Sequence, residues 1–302
     1  MTQAVLVTGG AGYVGSHTCK ALAQAGYQPV TFDNLICGHD WAVKWGPLEH
    51  GDIRNTGRLR EVIAAHNPST VIHFAAYAYA AESVDEPEKY YQNNLIGLLS
   101  LLEAMRSCNL DRLVFSSTCA VYGLPQAVPV TEDHPQEAIS PYGASKAMGE
   151  RIICDHGAAY DLHFISLRYF NAAGADPDGE IGECHNPETH LVPSVLDAAL
   201  GRRLSLTVFG NDYDTPDGTC IRDYVHVTDL AKAHLLALQA LENGGENTVY
   251  NLGSGTGVSV KEIIDQAAAV TGRQIGVTVG PRRNGDPPQL VASVKKAKDE
   301  LG

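Results

Sequence analysis

AVLVTGGAGYVGSH, residues 4–17, sets a β-branched apolar run directly against glycines at positions 9, 12 and 15. A strand, a tight turn and a helix running to Gly26 are expected from that pattern. Between strand and helix, Gly-x-x-Gly-x-x-Gly reads as a dinucleotide-binding turn: backbone N–H groups at the helix start face a pyrophosphate, Gly9 and Gly12 let the main chain approach it, and Gly15 lets helix and strand pack closely. A plain glycine-rich turn is the bland alternative, and the strand–helix context weighs against it. The next apolar run, QPVTFD, ends at Asp33, close to the ~20-residue offset at which a carboxylate takes the adenosine ribose hydroxyls. A carboxylate there repels a 2'-phosphate, so NAD is expected over NADP.

Working outward, strands keep alternating with helices. Residues 34–50 hold both tryptophans and read as a loop leading to a short strand and Gly51-Asp52-Ile53-Arg54. Asp52 reads equally as an adenine contact or as a cap for the helix that starts near Asn55 and runs to about His66. The strand TVIHFAA and an irregular segment to Ser83 follow. Pro87 opens a long amphipathic helix with Leu95, Leu98, Leu99, Leu102 and Met105 at helical spacing. Asn93 and Asn94 lie within it, placed either to reach a cofactor or to face solvent. RLVFSS is a strand ending in hydroxyls, and LHFISLRYFN gives a sixth strand ending at Asn171. This alternation predicts a doubly wound parallel α/β sheet, a Rossmann domain over 1–171. A smaller α+β lobe over 172–302 follows, with some elements free to interleave. Its elements are a polar loop at 172–190, a helix near 191–201, a strand at 204–208, a helix at 228–242 and a strand at 248–252. Ser259 and Glu262 form a capping box for a helix reaching about Thr271.

Residues 116–146 carry the chemistry. Tyr142 and Lys146 stand four apart behind Ser140-Pro141, an N-cap followed by proline at the first helical position, so phenol and ammonium share one helix face. A tyrosine acting as a base at neutral pH needs its pKa lowered by roughly three units, about 4 kcal/mol, from nearby positive charge. Lys146, the helix terminus and an oxidised nicotinamide are the candidate sources. The preceding strand places Ser117 and Thr118 at the carboxyl edge of the sheet, where open α/β sheets bind ligands. Tyr-x-x-x-Lys alone is more often a solvated helix face; its neighbours carry the reading.

The bulk numbers restrict partners. The chain has 302 residues, 44% of them hydrophobic and 19% charged, with a net charge of −13. That balance is ordinary for a globular protein and argues against nucleic acid or an anionic membrane as partner. No apolar run approaches the ~18 residues of a membrane span, and Met1-Thr2-Gln3 leads straight into a strand, so a cytoplasmic location is expected. Seven scattered cysteines give neither a disulfide framework nor a zinc spacing. Cys184, His185 and His190 fit no standard zinc set and no fourth ligand lies nearby in sequence, so no metal is expected. Arg222 and Arg282-Arg283 lie in predicted loops of an acidic chain, and guanidinium forks suit a diphosphate.

Taken together, TGGAGYVG, GDIRN, VIHFAA, FSSTCAVYG, SPYGASK, RYFN, FGNDY, DGTCIRDYVHV, YNLGSG and PRRNGD resemble the extended short-chain dehydrogenase/reductase family, and within it the nucleotide-sugar 4-epimerases. The likeness spans essentially the whole chain. It implies NAD-dependent 4-epimerisation of a UDP-sugar, UDP-glucose and UDP-galactose first, through a transient 4-keto sugar. By that resemblance Tyr142 is the catalytic base and acid, Lys146 lowers its pKa and binds the nicotinamide ribose, and Thr118 hydrogen-bonds the sugar 4-hydroxyl. The NAD site is implied to comprise Gly9, Gly12, Tyr13, Val14, Gly15, Asp33, Asn34, Asp52, Ile53, Phe74, Ala75, Asn93, Tyr142, Lys146 and Tyr169. Asn171, His190, Leu191, Arg222, Arg283 and Asp286, with Thr118, are implied to hold the UDP-sugar.

The chain also departs from the pattern. AAYAYAAES has Ala78 where a lysine is usual; with SSTCA it resembles the branch of UDP-arabinose and exopolysaccharide 4-epimerases, which keeps pentoses open. Leu290, of intermediate size, stands where residue size influences acceptance of N-acetylhexosamines. The chain ends at KDELG, where relatives continue, so a closing helix of the small lobe is expected to be missing. Sugar dehydratases or decarboxylases are disfavoured by Cys119 and Ala120, which replace an acid beside the strand-end threonine. A non-catalytic dinucleotide sensor is the rival from another class, and it has no need of Tyr142, Lys146 and Thr118 together. A homodimer through helices 87–109 and 141–160 is expected by analogy.

Overall fold

The computed structural model describes residues 2–283 and 285–302. The chain runs β1 (Ala4–Thr8), α1 (Tyr13–Gln24), β2 (Gln28–Asp33), β3 (Leu48–His50), α2 (Thr56–His66), β4 (Thr70–His73), α3 (Ala80–Asp85), α4 (Pro87–Tyr90), α5 (Gly97–Ser107), β5 (Arg112–Thr118), α6 (Pro141–Tyr160) and β6 (His163–Tyr169). It continues through β7 (Asn171–Ala173), α7 (Leu191–Ala199), β8 (Leu206–Phe209), β9 (Ile221–His226), α8 (Val227–Glu242), β10 (Thr248–Leu252), β11 (Gly257–Ser259), α9 (Val260–Thr271), β12 (Val277–Gly280), β13 (Gln289–Leu290) and α10 (Lys295–Glu300).

Seven strands form one parallel sheet in the order β10-β6-β5-β4-β1-β2-β3. Alternate strand residues point to opposite faces, and both faces are apolar because helices cover both. Leu6, Val30, Val71 and Leu113 pack with Leu59 and Val62 of α2 and Leu101 and Met105 of α5. On the other side Val5, Val7, Ile72 and Val114 pack with Leu22 of α1 and Leu230, Leu238 and Leu241 of α8. The order turns back at β1, so the carboxyl ends of β1 and β4 flank the crevice where such sheets bind ligands.

The expected boundary at residue 171 is crossed. α8 and β10, read from sequence with the second lobe, belong to the first: α8 covers the sheet beside α1, and β10 is the edge strand against β6. The second lobe keeps two small sheets, β9 flanked by β7, β11 and β13, and the pair β8–β12. A second difference lies at 87–109, expected as one helix. It is broken by a π-helical turn at Tyr91–Ile96 between α4 and α5. The break has a tertiary cause. Asn94, buried at the turn, accepts the Tyr77 N–H at 2.9 Å and donates to Tyr77 O at 3.1 Å and Ser145 Oγ at 3.0 Å. Such turns recur at functional sites, and this one braces the segment after β4 against α6.

Candidate active site

α6 starts as the sequence dictates. Ser140 Oγ accepts the Gly143 N–H at 3.2 Å and Pro141 fills the first turn. Tyr142 and Lys146 then follow one helical turn apart. Thr118, at the end of β5, accepts the Ala120 N–H at 3.1 Å and caps the short turn 119–122. All three side chains are buried. Lys146 Nζ donates to Ser116 O at 2.7 Å and lies 4.9 Å over the Phe115 ring, while Ser116 Oγ and Tyr169 OH are 2.8 Å apart.

Burial dominates the electrostatics. It pushes the Tyr142 phenol above its ordinary value, with Tyr169 adding to the rise and the Thr118 hydroxyl pulling the other way. Burial also pushes Lys146 down to about 7, against an opposing pull from Glu150. The leading influences on Tyr142 are burial, Tyr169 and the Thr118 hydroxyl. Burial thus favours the uncharged form of both side chains. Glu150 was not anticipated from sequence. It stands at i+4 from Lys146, so helical spacing contained the signal, but an isolated helix carboxylate looks like a solvated one. Here it is largely covered, paired with the buried Arg168 at 2.6 Å, and accepts from Ser117 Oγ.

The glycine loop opens the same cleft. A Cβ on Gly9, whose φ is +75°, would lie 2.6 Å from Ala75 N, and one on Gly15 would lie 2.2 Å from Gly9 O. Only glycine fits at either position. Asp33 takes the Ala11 N–H at 3.1 Å and the Leu35 N–H at 2.8 Å. That fixes its carboxylate at the end of β2, and burial raises its pKa. A cleft of about 420 Å³ extends from this loop to α7. It brings together Gly9, Gly12, Tyr13, Val14, Gly15, Asp33, Asn34, Ile53, Phe74, Ala75, Asn93, Thr118, Tyr142, Tyr169, Asn171, His190 and Leu191. The glycine cradle, the strand-end carboxylate and the buried phenol fit a dinucleotide laid along the cleft.

Six expected residues are not on its wall. Lys146 stands behind Tyr142. Asp52 is turned to Arg54, with contacts of 2.9 and 2.7 Å, rather than to the cleft. Its partner explains the position: an exposed guanidinium fork next to it satisfies the carboxylate and lowers its pKa. Arg222 donates to Ile221 O and Pro287 O at 2.9 Å and pairs with Asp286 at 3.4 Å. Arg283 lies 4.1 Å over the Phe209 ring. Leu290 packs beside Tyr122 and Phe170. Residues the sequence did not single out line the wall instead, among them Tyr77, Glu183, Pro193 and Tyr224; Ala78 is there too. The expectation of no fourth ligand near Cys184, His185 and His190 is also corrected. Glu183 and Glu188 stand beside the two histidines, and Cys184 is exposed.

Residues 5–253 match the family model described as the NAD dependent epimerase/dehydratase family. The chain belongs to this family. Its relatives within the epimerase/dehydratase family include a "UDP-glucose 4-epimerase" of Rhizobium meliloti (strain 1021), 54% identical, covering 99% of this chain and 91% of the relative. Among solved structures of such epimerases, one from Brucella ovis in complex with NAD is 51% identical with a TM-score of 0.98, covering 100% of this chain and 93% of that one. Another, from Stenotrophomonas maltophila with bound NAD and formylated UDP-arabinopyranose, is 39% identical with a TM-score of 0.96, covering 99% and 92%.

Proposed function

We infer that the protein is an isomerase, an NAD-dependent UDP-sugar 4-epimerase that interconverts UDP-glucose and UDP-galactose. One observation carries the reading: a single cleft joins the glycine loop and Asp33 to Tyr142, Thr118, Asn171, His190 and Leu191. A dinucleotide and a second ligand can therefore meet at one buried phenol. The family match and the UDP-glucose 4-epimerases similar over the full chain support the same activity.

Bound NAD supplies a hydride acceptor and donor and, when oxidised, a positive charge beside the phenol. This chain's residues do the rest. Tyr142, as the phenolate that the positive charge of oxidised NAD and of a protonated Lys146 would favour against burial, takes the proton of the sugar 4-hydroxyl and later returns one. Thr118, beside the phenol, orients that hydroxyl. Lys146, held by Ser116 O and favoured in its charged form by Glu150, orients the nicotinamide ribose and restores positive charge when protonated. Asp33 holds the adenosine ribose. Arg222 and Arg283 hold the diphosphate, Arg222 exchanging its Pro287 and Asp286 contacts for phosphate oxygens, and Asp286 accepts from hydroxyl groups elsewhere on the UDP-sugar. Firm grip at the UDP end and few polar groups around the sugar let the ring turn over without releasing the nucleotide.

Pentoses form the second reading. The segment AAYAYAAES favours it, as does the similar structure that holds formylated UDP-arabinopyranose. Incubating purified protein, without added cofactor, with UDP-galactose, UDP-xylose and UDP-N-acetylglucosamine and separating the products tests both. UDP-glucose from UDP-galactose is the expected fastest reaction; net NADH or NADPH turnover in place of an epimer would refute the assignment. A homodimer through 87–109 and 141–160 belongs to the same proposal. Ile96, Leu99 and Met148 on those segments are exposed apolar residues, and light scattering at twice the 32.3 kDa chain mass is expected. So does a cytoplasmic location, which suits seven free cysteines.

A further inference from the structure

The loop leading into α7 carries two carboxylates and two imidazoles that converge. Glu183, His185, Glu188 and His190 each bring one donor atom within 4.8 Å of the others. His185 Nδ1 lies 3.3 Å from Glu183 Oε1 and 3.5 Å from Glu188 Oε2; His190 Nδ1 lies 2.7 Å from Glu183 Oε1 and 3.4 Å from Glu188 Oε1. Four donors placed about 2.0–2.1 Å from one tetrahedral centre stand roughly 3.3 Å apart. Three of the four separations match that spacing, with Glu188 presenting Oε2 to His185 and Oε1 to His190.

Two further observations separate this cluster from an ordinary ion-pair network. The Glu183 side chain is only 7% exposed and pairs with His190 Nδ1 at 2.7 Å, while His185 Nδ1 is buried without an aligned hydrogen bond among the described residues. A buried imidazole nitrogen that lacks an aligned partner and faces two carboxylates is placed as a further donor toward the point they share. Charge makes the second contrast. In the neighbouring cluster of Asp176, Asp178 and Glu180 the cation is built in, because Lys20 Nζ sits 2.8, 2.7 and 2.8 Å from the three carboxylates. No lysine or arginine pairs with Glu183 or Glu188 among the described residues, which leaves two carboxylates facing two imidazoles.

We propose that Glu183, His185, Glu188 and His190 form a binding site for one divalent transition-metal ion of the zinc class, which pins residues 183–190 along the wall of the cleft. Imidazole and carboxylate donors suit such an ion, and two carboxylates balance its charge. The pinned loop has a place to act. His185 stands edge-on to Tyr13 and Tyr79, with ring centroids 6.2 and 6.0 Å away, and His190 immediately precedes α7. Coordination through Nδ1 leaves His190 Nε2 available to a ligand in the cleft. The site does not depend on which sugar the cleft accepts.

The test is a titration of the full-length protein, stripped by chelator and dialysed, with Zn2+ alone. One equivalent per chain and a raised Tm are expected. The Cys37→Ser/Cys184→Ser double variant keeps that binding, because these two exposed thiols take no part. His185→Ala and Glu188→Gln weaken it by more than the roughly 10–100-fold that outer-shell changes cost, while keeping the circular dichroism of the parent. Co2+ in place of zinc in the parent protein gives the visible d–d bands of a tetrahedral ion without a thiolate charge-transfer band, a readout that needs no variant to fold. Zinc that follows the thiols, binding unchanged in both His185→Ala and Glu188→Gln, or no binding by the folded parent overturns the proposal.

Discussion

Tyr142 and Lys146 are both shifted toward their uncharged forms by the burial that makes them useful. Tyr142→Phe removes the phenol placed beside Thr118 at the head of α6. A loss of about 10²–10⁴-fold in epimerisation is expected, with the dinucleotide retained; a product assay and the absorbance of nucleotide released on denaturation check it. Lys146 makes a pH prediction. Its folded pKa of about 7 lies below its ordinary 10.5. Between these values the unfolded chain binds a proton the folded chain lacks, so this group makes stability rise with pH across that window. Below the folded pKa both states are protonated and the cost of burying the charge is fully present. Urea midpoints at pH 6.5 and 9 are expected to rise with pH in the parent relative to Lys146→Met; parallel profiles would count against it. The pair was legible because a Ser-Pro start and an i, i+4 spacing are local. Glu150, Glu183 and Glu188 were not, because a carboxylate's partner is set by tertiary placement, and on paper each resembles a solvated acid.

At the scale of elements, the strands could be read because those buried on both faces are short continuous apolar runs between turns. The π-helical turn at Tyr91–Ile96 could not. Its Leu-rich spacing is that of an unbroken helix, and the break is imposed by the hydrogen bonds of Asn94 to Tyr77 and Ser145. Asn94→Ala leaves the Tyr77 amide and carbonyl without these partners and is expected to cost about 1–3 kcal/mol in urea unfolding, together with weaker dinucleotide retention. The helix start that presents the phenol makes a milder case. Ser140→Ala removes the cap of α6 and should cost about 1 kcal/mol by the same measurement.

For the whole molecule, sequence pattern gave two lobes but not their membership, since an amphipathic helix such as α8 shows that it has an apolar face and not which sheet receives it. Packing decides: Leu230, Leu238 and Leu241 close the side of the sheet formed by Val5, Val7 and Ile72. A fragment ending at Ala173 lacks that cover and the edge strand β10. It is expected to bind an apolar dye and show no cooperative thermal transition, although it contains the whole glycine loop. The polypeptide passes between the lobes after Tyr169, at the His226–Val227 junction, after Leu252 and before Lys295. Bodies laced together at so many points cannot gape like the halves of a clam on one pivot. Ligand traffic is then left to the surface segments over the crevice, a route that suits a short sugar better than the much longer dinucleotide beneath it.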